Sequence, residues 1–241
     1  FTVDIADPIE SEAGSRHYPT WEEANDDYTI TVVAAPLRQS IDILQAMLTA
    51  KRHGIIFDIG SIKSPIQSIL KDMVNSGMQV TSIHPMFGPD SDLLTGKQII
   101  FMDIDQQNTH QEVKNLFEST TAQLIDMSIE NHDYAIAYVL GLSHMINIAF
   151  AKVLASSDDN RNVLPKLSST TFKDQLNVAK RVTDENPHLY FEIQHLNEHS
   201  LKTIKELNSA INEITEAITQ GQEDTFVAMM KEGQSYFNKN E

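Results

Sequence analysis

Cysteine is absent from the 241 residues of this chain. Its absence excludes disulfide bonds, metal sites built from thiolates and a catalytic thiol. A reducing cytoplasm suits such a chain, and we expect a cytoplasmic protein, although a chain without cysteine is compatible with any compartment.

Basic residues are scarce as well, since 18 lysines and arginines face 34 aspartates and glutamates and leave a formal net charge of −16. A surface this negative repels phosphate groups, so we expect neither a nucleic acid nor an anionic membrane as partner. No uninterrupted apolar run approaches the roughly 20 residues of a membrane span. We also expect no signal peptide at the start of the chain.

The overall composition is that of a globular protein, with 41% hydrophobic and 22% charged residues. It disfavours disorder, collagen and a coiled-coil rod. A chain of this length forms one large domain or two smaller ones. The pattern of apolar residues favours two domains, residues 1–128 and residues 129–241.

The first domain alternates short β-branched runs with amphipathic segments. Strands are predicted at Phe1–Ala6, Tyr28–Ala34, Ile55–Ile59, Gln79–Ile83, Gln98–Met102 and Ala122–Ile125. Helices are predicted at Arg38–Arg52 and Lys63–Ser76. This alternation is typical of parallel strands joined by right-handed crossovers, which form an open α/β sheet. Ligands bind such sheets beyond the carboxyl ends of their strands.

The second domain shows almost no strand pattern. Its apolar residues recur at helical spacing and predict helices at Tyr134–Leu154, Phe172–Val182, Pro187–Ile218 and Thr225–Phe237. The Pro187 helix is about thirty residues long, more than a lone surface helix normally needs. We therefore predict an all-α bundle that packs against a second copy of the chain as a homodimer.

Several residues follow directly after predicted strands. Asp7 follows the first strand, where an acid of a dinucleotide-binding fold accepts hydrogen bonds from the adenosine ribose. Aspartate is equally common there as a turn former. Pro36 and Ser61 follow the next two strands, where small or rigid residues let a flat ring approach the backbone. Ser61 is alternatively the cap of the helix that follows.

The most informative segment is Ser82-Ile83-His84-Pro85-Met86-Phe87-Gly88-Pro89-Asp90. It places His84 at the mouth of the sheet, in a loop shaped by prolines and a glycine. A histidine titrates near neutral pH, and a general base needs such a group in a fixed position. His84 is therefore a candidate base, and a structural histidine is the alternative.

Polar residues interrupt the apolar helices of the second domain at three places. His132 and Asp133 begin a predicted helix, where an acid is also favoured by the helix dipole. His144 lies about three turns further on, where a satisfied core histidine is the more common interpretation. Arg181 ends another helix, where it either holds a carboxylate bidentately or complements the helix dipole.

Taken in chain order, these segments resemble the prephenate dehydrogenases, including the relatives that use arogenate, from the first residue to about Tyr190. The resemblance is carried by Ser61-Ile62-Lys63, the His84–Asp90 segment, His132-Asp133, His144, Leu167-Ser168-Ser169, Asn186-Pro187 and Leu189-Tyr190. It implies a Rossmann-like dinucleotide-binding domain followed by an all-α dimerisation domain.

The resemblance also implies oxidative decarboxylation of prephenate to 4-hydroxyphenylpyruvate, a step of tyrosine synthesis, with hydride passing to NAD. By this resemblance His84 takes the proton of the ring hydroxyl, and Ser61 orients His84. The substrate side is expected to contain His144, Arg181, Tyr190 and His132, and the cofactor side Asp7, Pro36 and Lys63. The charge of Asp7 favours NAD over NADP, because it repels the 2′-phosphate.

Two features depart from the family pattern. No GxGxxG turn occurs in the chain, which begins about where the second strand is expected. Since the amides of that turn hold the pyrophosphate, we expect a fragment of a longer protein that binds the cofactor poorly by itself. Thr170, Thr171 and Lys173 stand where close relatives carry a proline and an arginine, which leaves prephenate and arogenate open as substrates.

Two other interpretations stay open. The segment His195-Leu196-Asn197-Glu198-His199 matches a pattern of zinc peptidases, in which two histidines on one helix bind the metal. Few residues follow to supply another ligand, so a solvated helix face without metal is favoured. The second is a degenerate dinucleotide-fold protein that binds tyrosine or a partner through its helical half without catalysis, which the missing glycine turn favours.

Overall fold

The computed structural model describes residues 2–10, 16–24, 27–88, 93–157, 163–167 and 169–238. Four residues that the sequence motifs include lie outside these ranges, namely Phe1, Pro89, Asp90 and Ser168. The chain divides into two units, Phe1–His132 and Asp133–Glu241. The domain boundary expected after residue 128 stays a prediction.

The first unit alternates strands and helices. Its described strands are β1 (Ile5–Ala6), β2 (His17–Tyr18), β3 (Ile30–Val33), β4 (Ile55–Asp58), β5 (Gln79–Pro85), β6 (Gln98–Asp103) and β7 (Gln123–Ser128). Its described helices are α1 (Leu37–Ala50), α2 (Gln67–Asn75) and α3 (Gln107–Asn115), with a short 3₁₀ turn at Trp21–Glu23.

Five of these strands form one sheet in the order β3-β4-β5-β6-β7. All neighbours are parallel except β5 and β6, which are antiparallel. The predicted α/β sheet is therefore confirmed, with α1 and α2 connecting its parallel strands. The reversal at β6 was not predicted; the described residues between β5 and β6 contain no crossover helix.

The interior of the sheet contains β4, which is apolar up to Asp58, and β5, which carries the buried polar residues Thr81, Ser82 and His84. All four residues of β4 are buried, and so are the middle residues of β5. Strands covered on both faces lose the alternation of polar and apolar residues. The parallel register pairs Asp58 with Ser82, so polar residues at the carboxyl ends of these two strands lie side by side.

The first predicted strand is shorter than expected and lies outside this sheet. β1 pairs in parallel with β2, as Ile5 with His17 and Ala6 with Tyr18, in a separate sheet of two strands. The family resemblance predicts this segment as the second strand of a dinucleotide-binding sheet. In the described residues it has no strand partner in the five-stranded sheet.

The rest of the chain is helical, as predicted. The described elements are α4 (Ile129–Ile136), a π-helical segment (Ala137–Leu142), α5 (Ser143–Ala155), a 3₁₀ turn (Leu164–Leu167), α6 (Thr170–Asp184), α7 (Pro187–Leu196), α8 (Ser200–Thr219) and α9 (Glu223–Asn238). None of the residues of α9 is buried.

One helix prediction was wrong, because the segment Pro187–Ile218 is two helices that meet at Asn197. The backbone of Asn197 is extended, with φ −81° and ψ 114°. Its buried side chain donates from Nδ2 to the carbonyl oxygen of Asp133 at 2.8 Å and accepts from the amide of His199 at 2.9 Å. Asparagine competes with helical hydrogen bonds in this way and is therefore common at helix starts.

This break removes the premise of a zinc site at His195 and His199. His195 lies in the last turn of α7 and stacks on Phe191, whereas His199 precedes α8 and packs edge-on against Tyr134. Two histidines bind one metal from a helix only when that helix is continuous between them. No group of three potential metal ligands occurs among the described residues.

The helical stretch Ile129–Ala155 is apolar enough on average to be compared with a membrane span. It is 27 residues long and contains an 18-residue window with a mean hydropathy of 1.5, so it passes that test by length and composition alone. A core helix of a soluble protein passes the same test. This stretch carries buried His132, Asp133 and His144, whereas ionisable residues are rare in lipid-exposed helices.

Two glycines with the same backbone conformation provide a test of the first unit. Gly54 and Gly77 have φ of 82° and 80°, respectively. A Cβ on Gly54 would overlap the carbonyl oxygen of Tyr28 and lie 2.8 Å from that of Thr29, whereas a Cβ on Gly77 would meet nothing within 4 Å.

We therefore expect Gly54→Ala to destabilise the protein more than Gly77→Ala. Both changes introduce left-handed strain of about 1–2 kcal/mol, and Gly54→Ala adds a backbone overlap of roughly 1–3 kcal/mol. Urea unfolding of both variants measures the difference. Equal losses in the free energy of unfolding would contradict the close approach at Gly54.

Candidate active site

His84 lies at the carboxyl end of β5, where the strand leaves the core. Its ring is 3% exposed, and the strand holds it opposite Ile100 of β6. Pro85 ends the strand, since proline has no amide hydrogen with which to continue the ladder. The predicted position of His84 at the mouth of the sheet is therefore where the structure places it.

A second buried histidine contacts the first. Nδ1 of His84 lies 2.9 Å from Nε2 of His132, with the ring centroids 5.1 Å apart and the rings inclined by 62°. His132 is fully buried in α4. The sequence motifs indicate both residues but not their contact, because the two are 48 positions apart.

The hydrogen-bonding groups of imidazole determine which ring nitrogens in this contact carry a hydrogen. A neutral ring carries one N–H, so in a bond between two neutral rings one donates and the other accepts. In the tautomer in which His84 donates from Nδ1, Nε2 carries no hydrogen and is the basic nitrogen of the ring. This is the tautomer that a proton acceptor at Nε2 requires.

The start of α4 is attached to α2 within the same unit. Nζ of Lys71 lies 2.7 Å from Oε1 of Glu130, and Nε2 of Gln67 donates to the same oxygen at 3.2 Å. The hydrogen bond from Lys71 lowers the pKa of Glu130. Although exposed ion pairs add little stability, these contacts fix the turn that precedes His132.

Ser61 lies in the loop directly after β4 and is partly exposed. It does not cap α2, which begins at Gln67 with Ile66 as its N-cap. Within the described residues no hydrogen bond joins Ser61 to His84. The orienting role that the family resemblance implies for Ser61 therefore stays a prediction.

Lys63 is completely buried. A lysine on the cofactor side of the site, as predicted, would be expected to be accessible. Nζ of Lys63 lies 2.6 Å from Oδ2 of Asp58 and donates to the carbonyl oxygen of Ile83 at 2.8 Å. The ammonium group thus faces a carboxylate inside the protein. Its contact with a cofactor stays a prediction.

Sequence reasoning missed Asp58, which is 1% exposed. Its carboxylate accepts from Lys63, from the amide of Gly60 at 2.9 Å and from the hydroxyl of Ser82 at 2.5 Å. The sequence does indicate this residue, because Asp58 is an acid at the end of the otherwise apolar strand β4. A buried carboxylate is costly unless it is paired and hydrogen-bonded.

The two remaining cofactor-side candidates lie at other element ends of the first unit. Asp7 is exposed directly after β1, and its Oδ1 accepts from the amide of Ile9 at 2.7 Å. This is the turn-forming geometry of aspartate. Pro36 is the N-cap of α1, and its side chain makes no capping hydrogen bond to this helix.

In the second unit, His144 and Tyr190 stack on each other, with ring centroids 4.1 Å apart and an angle of 21°. Burial lowers the pKa of His144 below its ordinary value of 6.5, so the ring is neutral at pH 7. Its buried Nδ1 makes no hydrogen bond to the described residues. Burial, and then the charge of Glu185, raise the pKa of Tyr190.

Arg181 lies in the last turn of α6 and is exposed. It borders an open depression of about 620 Å³ lined by Asp174, Asn177, Val178, Lys180 and Arg181. Among the residues that the structure describes, Arg181 has no hydrogen-bonded or ion-paired partner. The structure thus brings His144 and Tyr190 together and leaves Arg181 apart from their contact.

Comparison with known proteins gives the same family for both units. The family described as "Prephenate dehydrogenase, nucleotide-binding domain" matches residues 12–126, and "Prephenate dehydrogenase, dimerization domain" matches residues 128–232. The matched residues include all of the candidate site residues except Asp7.

The individual relatives share little sequence identity with this chain, but the matches extend over nearly all of its length. The chain is 26% identical over 95% of its length to a probable arogenate/prephenate dehydrogenase of Methanocaldococcus jannaschii. It is 26% identical over 91% of its length to the T-protein of Enterobacter agglomerans. It covers 52% and 58% of these proteins, so it spans about half the length of the curated relatives it matches.

A solved structure has the same fold. Prephenate dehydrogenase from A. aeolicus, in complex with hydroxyphenyl propionate and NAD+, superimposes with a TM-score of 0.69 at 21% identity, over 90% of this chain and 78% of that one. With both family matches, which together extend from residue 12 to residue 232, the conclusion is that this chain belongs to the prephenate dehydrogenase family.

Proposed function

We propose that this protein oxidises and decarboxylates prephenate to 4-hydroxyphenylpyruvate with NAD as hydride acceptor, in the cytoplasm. The observation that carries the proposal is the contact between His84 and His132 at the carboxyl end of β5. A buried imidazole pair at this edge of an α/β sheet suits a base beside a bound nicotinamide. The family to which the chain belongs supports the same reaction.

The described residues fit the nicotinamide side of NAD. Ala34 and Ala35 carry only methyl side chains after β3, and Pro36 is the N-cap of α1. A flat ring can therefore approach the backbone at this strand end. When bound there, NAD accepts a hydride. The glycine turn that holds a pyrophosphate in this fold class is not part of residues 1–241.

His84 acts on the ring hydroxyl of the substrate. Loss of hydride from the carbon that bears this hydroxyl makes the oxygen acidic, and Nε2 of His84 takes its proton. We propose the tautomer in which His84 donates from Nδ1 to Nε2 of His132, 2.9 Å away. In this tautomer Nε2 of His84 is the basic nitrogen. The ring ketone then loses carbon dioxide, because the ring becomes aromatic, and its oxygen regains a proton to form the phenol of the product.

Residues of the second unit are proposed to hold the two carboxylates of the substrate. Arg181 presents an exposed guanidinium, which binds a carboxylate through two parallel hydrogen bonds. His144 is neutral at pH 7 and offers a hydrogen bond, while Tyr190 covers one face of its ring. In a chain with a net charge of −16, such local groups are needed to attract a dianion.

Arogenate is the second candidate substrate. It differs from prephenate in carrying an amino group in place of the side-chain keto group. The relative from Methanocaldococcus jannaschii is named for both compounds. Thr170 and Thr171, which depart from the family pattern, form the first turn of α6, the helix that carries Arg181.

We also propose a homodimer formed through the helical unit. Large apolar side chains are exposed on its last two helices, namely Leu201, Ile211, Ile214, Ile218, Val227, Met230, Tyr236 and Phe237. Exposed apolar surface of this extent is typical of an interface. The match to a dimerization domain over residues 128–232 supports a second copy as the partner.

Replacing the base is the first test of this function. His84→Gln should lower kcat by roughly 10²–10⁴-fold, because the amide cannot accept the hydroxyl proton in the same way. The protein is expressed from its natural gene, and NADH formation is followed with prephenate and, separately, with arogenate. His53→Gln, at an exposed histidine of the same unit, should retain wild-type turnover.

Normal turnover in His84→Gln would remove the base from the mechanism. Absence of turnover by the wild-type protein with both substrates would favour a binding protein without catalysis.

The second test concerns the charge of the substrate. Prephenate should raise the pKa of His144, because nearby carboxylates favour the imidazolium form, whereas burial lowers this pKa in the free protein. A titration of the ¹³C-labelled histidine rings by NMR, with and without prephenate, measures the change. A His144 titration that is unaffected by saturating prephenate would contradict its place in the substrate site, and the exposed His53 serves as the internal control.

The third test concerns the dimer. Ile214→Asp should dissociate it, because a carboxylate would be buried in an apolar interface. Asn212→Asp adds the same charge at an exposed polar position of α8 and should leave the dimer intact. Sedimentation equilibrium at micromolar concentration measures the masses. A wild-type mass equal to that of one chain would contradict the proposal.

A further inference from the structure

The carboxylate of Asp58 connects two segments that are far apart in sequence. It lies at the end of β4 and receives hydrogen bonds from the loop that follows and from the neighbouring strand β5. The amide of Gly60, directly before Ser61, is one donor. The hydroxyl of Ser82, two residues before His84, is another.

Lys63 also belongs to this network. Its ammonium group contacts Oδ2 of Asp58 at 2.6 Å and the carbonyl oxygen of Ile83 at 2.8 Å. Ile83 directly precedes His84. The network therefore holds the main chain beside His84 and the main chain beside Ser61 against a single carboxylate.

The energetics favour a role in geometry over a role in stability. Desolvation of a buried ion pair offsets most of its Coulomb attraction, so apolar side chains of similar volume would stabilise the core as well or better. Hydrogen bonds to a charged acceptor are, however, short and directional. Three such bonds to Asp58, together with the bond from Lys63 to the carbonyl oxygen of Ile83, restrict the relative position of the two segments more closely than apolar packing would.

We propose that Asp58 is a positioning residue for the oxidation, which sets the distance between Ser61 and His84 through Gly60, Ser82 and Lys63. This inference rests on the proposed function for its kinetic consequence. Asp58 acts through other residues and takes no part in proton transfer. Lys63, in turn, is the counter-ion of this carboxylate.

The direct test is Asp58→Asn, which keeps the shape of the side chain and removes its charge. Because it leaves the Lys63 ammonium buried without a carboxylate, this variant is paired with Ser82→Ala. Ser82→Ala removes a single hydrogen bond to Asp58 and retains the ion pair. Thermal unfolding shows whether each variant is folded, and Ser82→Ala decides the matter if Asp58→Asn is not.

The matched control is Thr81→Val. Thr81 is fully buried in the same strand, and its hydroxyl donates to the carbonyl oxygen of Met102 at 3.3 Å. The control removes a buried hydroxyl next to Ser82 without touching the Asp58 network.

Two readouts are expected to change together. A displacement of about 1 Å in a reacting group costs on the order of 10²-fold in rate, so kcat of Ser82→Ala should fall roughly tenfold or more with KM for prephenate within about twofold. The ¹⁵N resonances of the His84 ring, assigned by their loss in His84→Gln, should shift in Ser82→Ala. Thr81→Val should change neither.

A folded Ser82→Ala protein with wild-type kcat and unshifted His84 resonances would overturn the inference. An equal loss of kcat in Thr81→Val would also overturn it, since the effect would then be general to the core. If the wild-type protein fails to turn over prephenate and arogenate, the proposed function fails and the His84 resonances alone decide. A shift in Ser82→Ala but not in Thr81→Val then supports positioning, and no shift overturns it.

Discussion

The buried contact between Asp58 and Lys63 is the constraint on which the site at the sheet edge depends. It lies where β4 and β5 end side by side, because the parallel register pairs Asp58 with Ser82. An ion pair in a protein interior must satisfy its remaining hydrogen-bonding capacity or become costly. Here that requirement is met by the main-chain groups next to Ser61 and His84. The same network therefore satisfies the buried charges and holds the two segments of the site.

The two units contribute different kinds of chemistry to the proposed reaction. The first unit supplies a pair of buried imidazoles, those of His84 and His132, whose facing nitrogens lie 2.9 Å apart. The second supplies a neutral histidine stacked on a tyrosine and an exposed arginine. The proposed proton transfer thus uses buried groups, whereas the proposed recognition of the anionic substrate combines buried His144 with exposed Arg181.

Local patterns in the sequence predict most of the fold, and His84, but not how distant segments meet. The β-branched runs and the helical spacing identify β3, β4, β5 and most helices, because these elements follow from neighbouring residues. The break at Asn197 depends on a hydrogen bond to Asp133, which is 64 positions away. The contact of His84 with His132 in α4 and that of Lys63 with the carbonyl oxygen of Ile83 in β5 also join segments that periodicity alone does not bring together.

Helix α9 gives the protein a region whose order is linked to concentration. It contacts α8 yet buries none of its own residues within one chain, and a helix of this length without a packed face is only marginally stable in water. Dilution that dissociates the proposed dimer should therefore fray this segment first, while the sheet retains its structure. Proteolysis near the end of the chain would then increase as the protein is diluted.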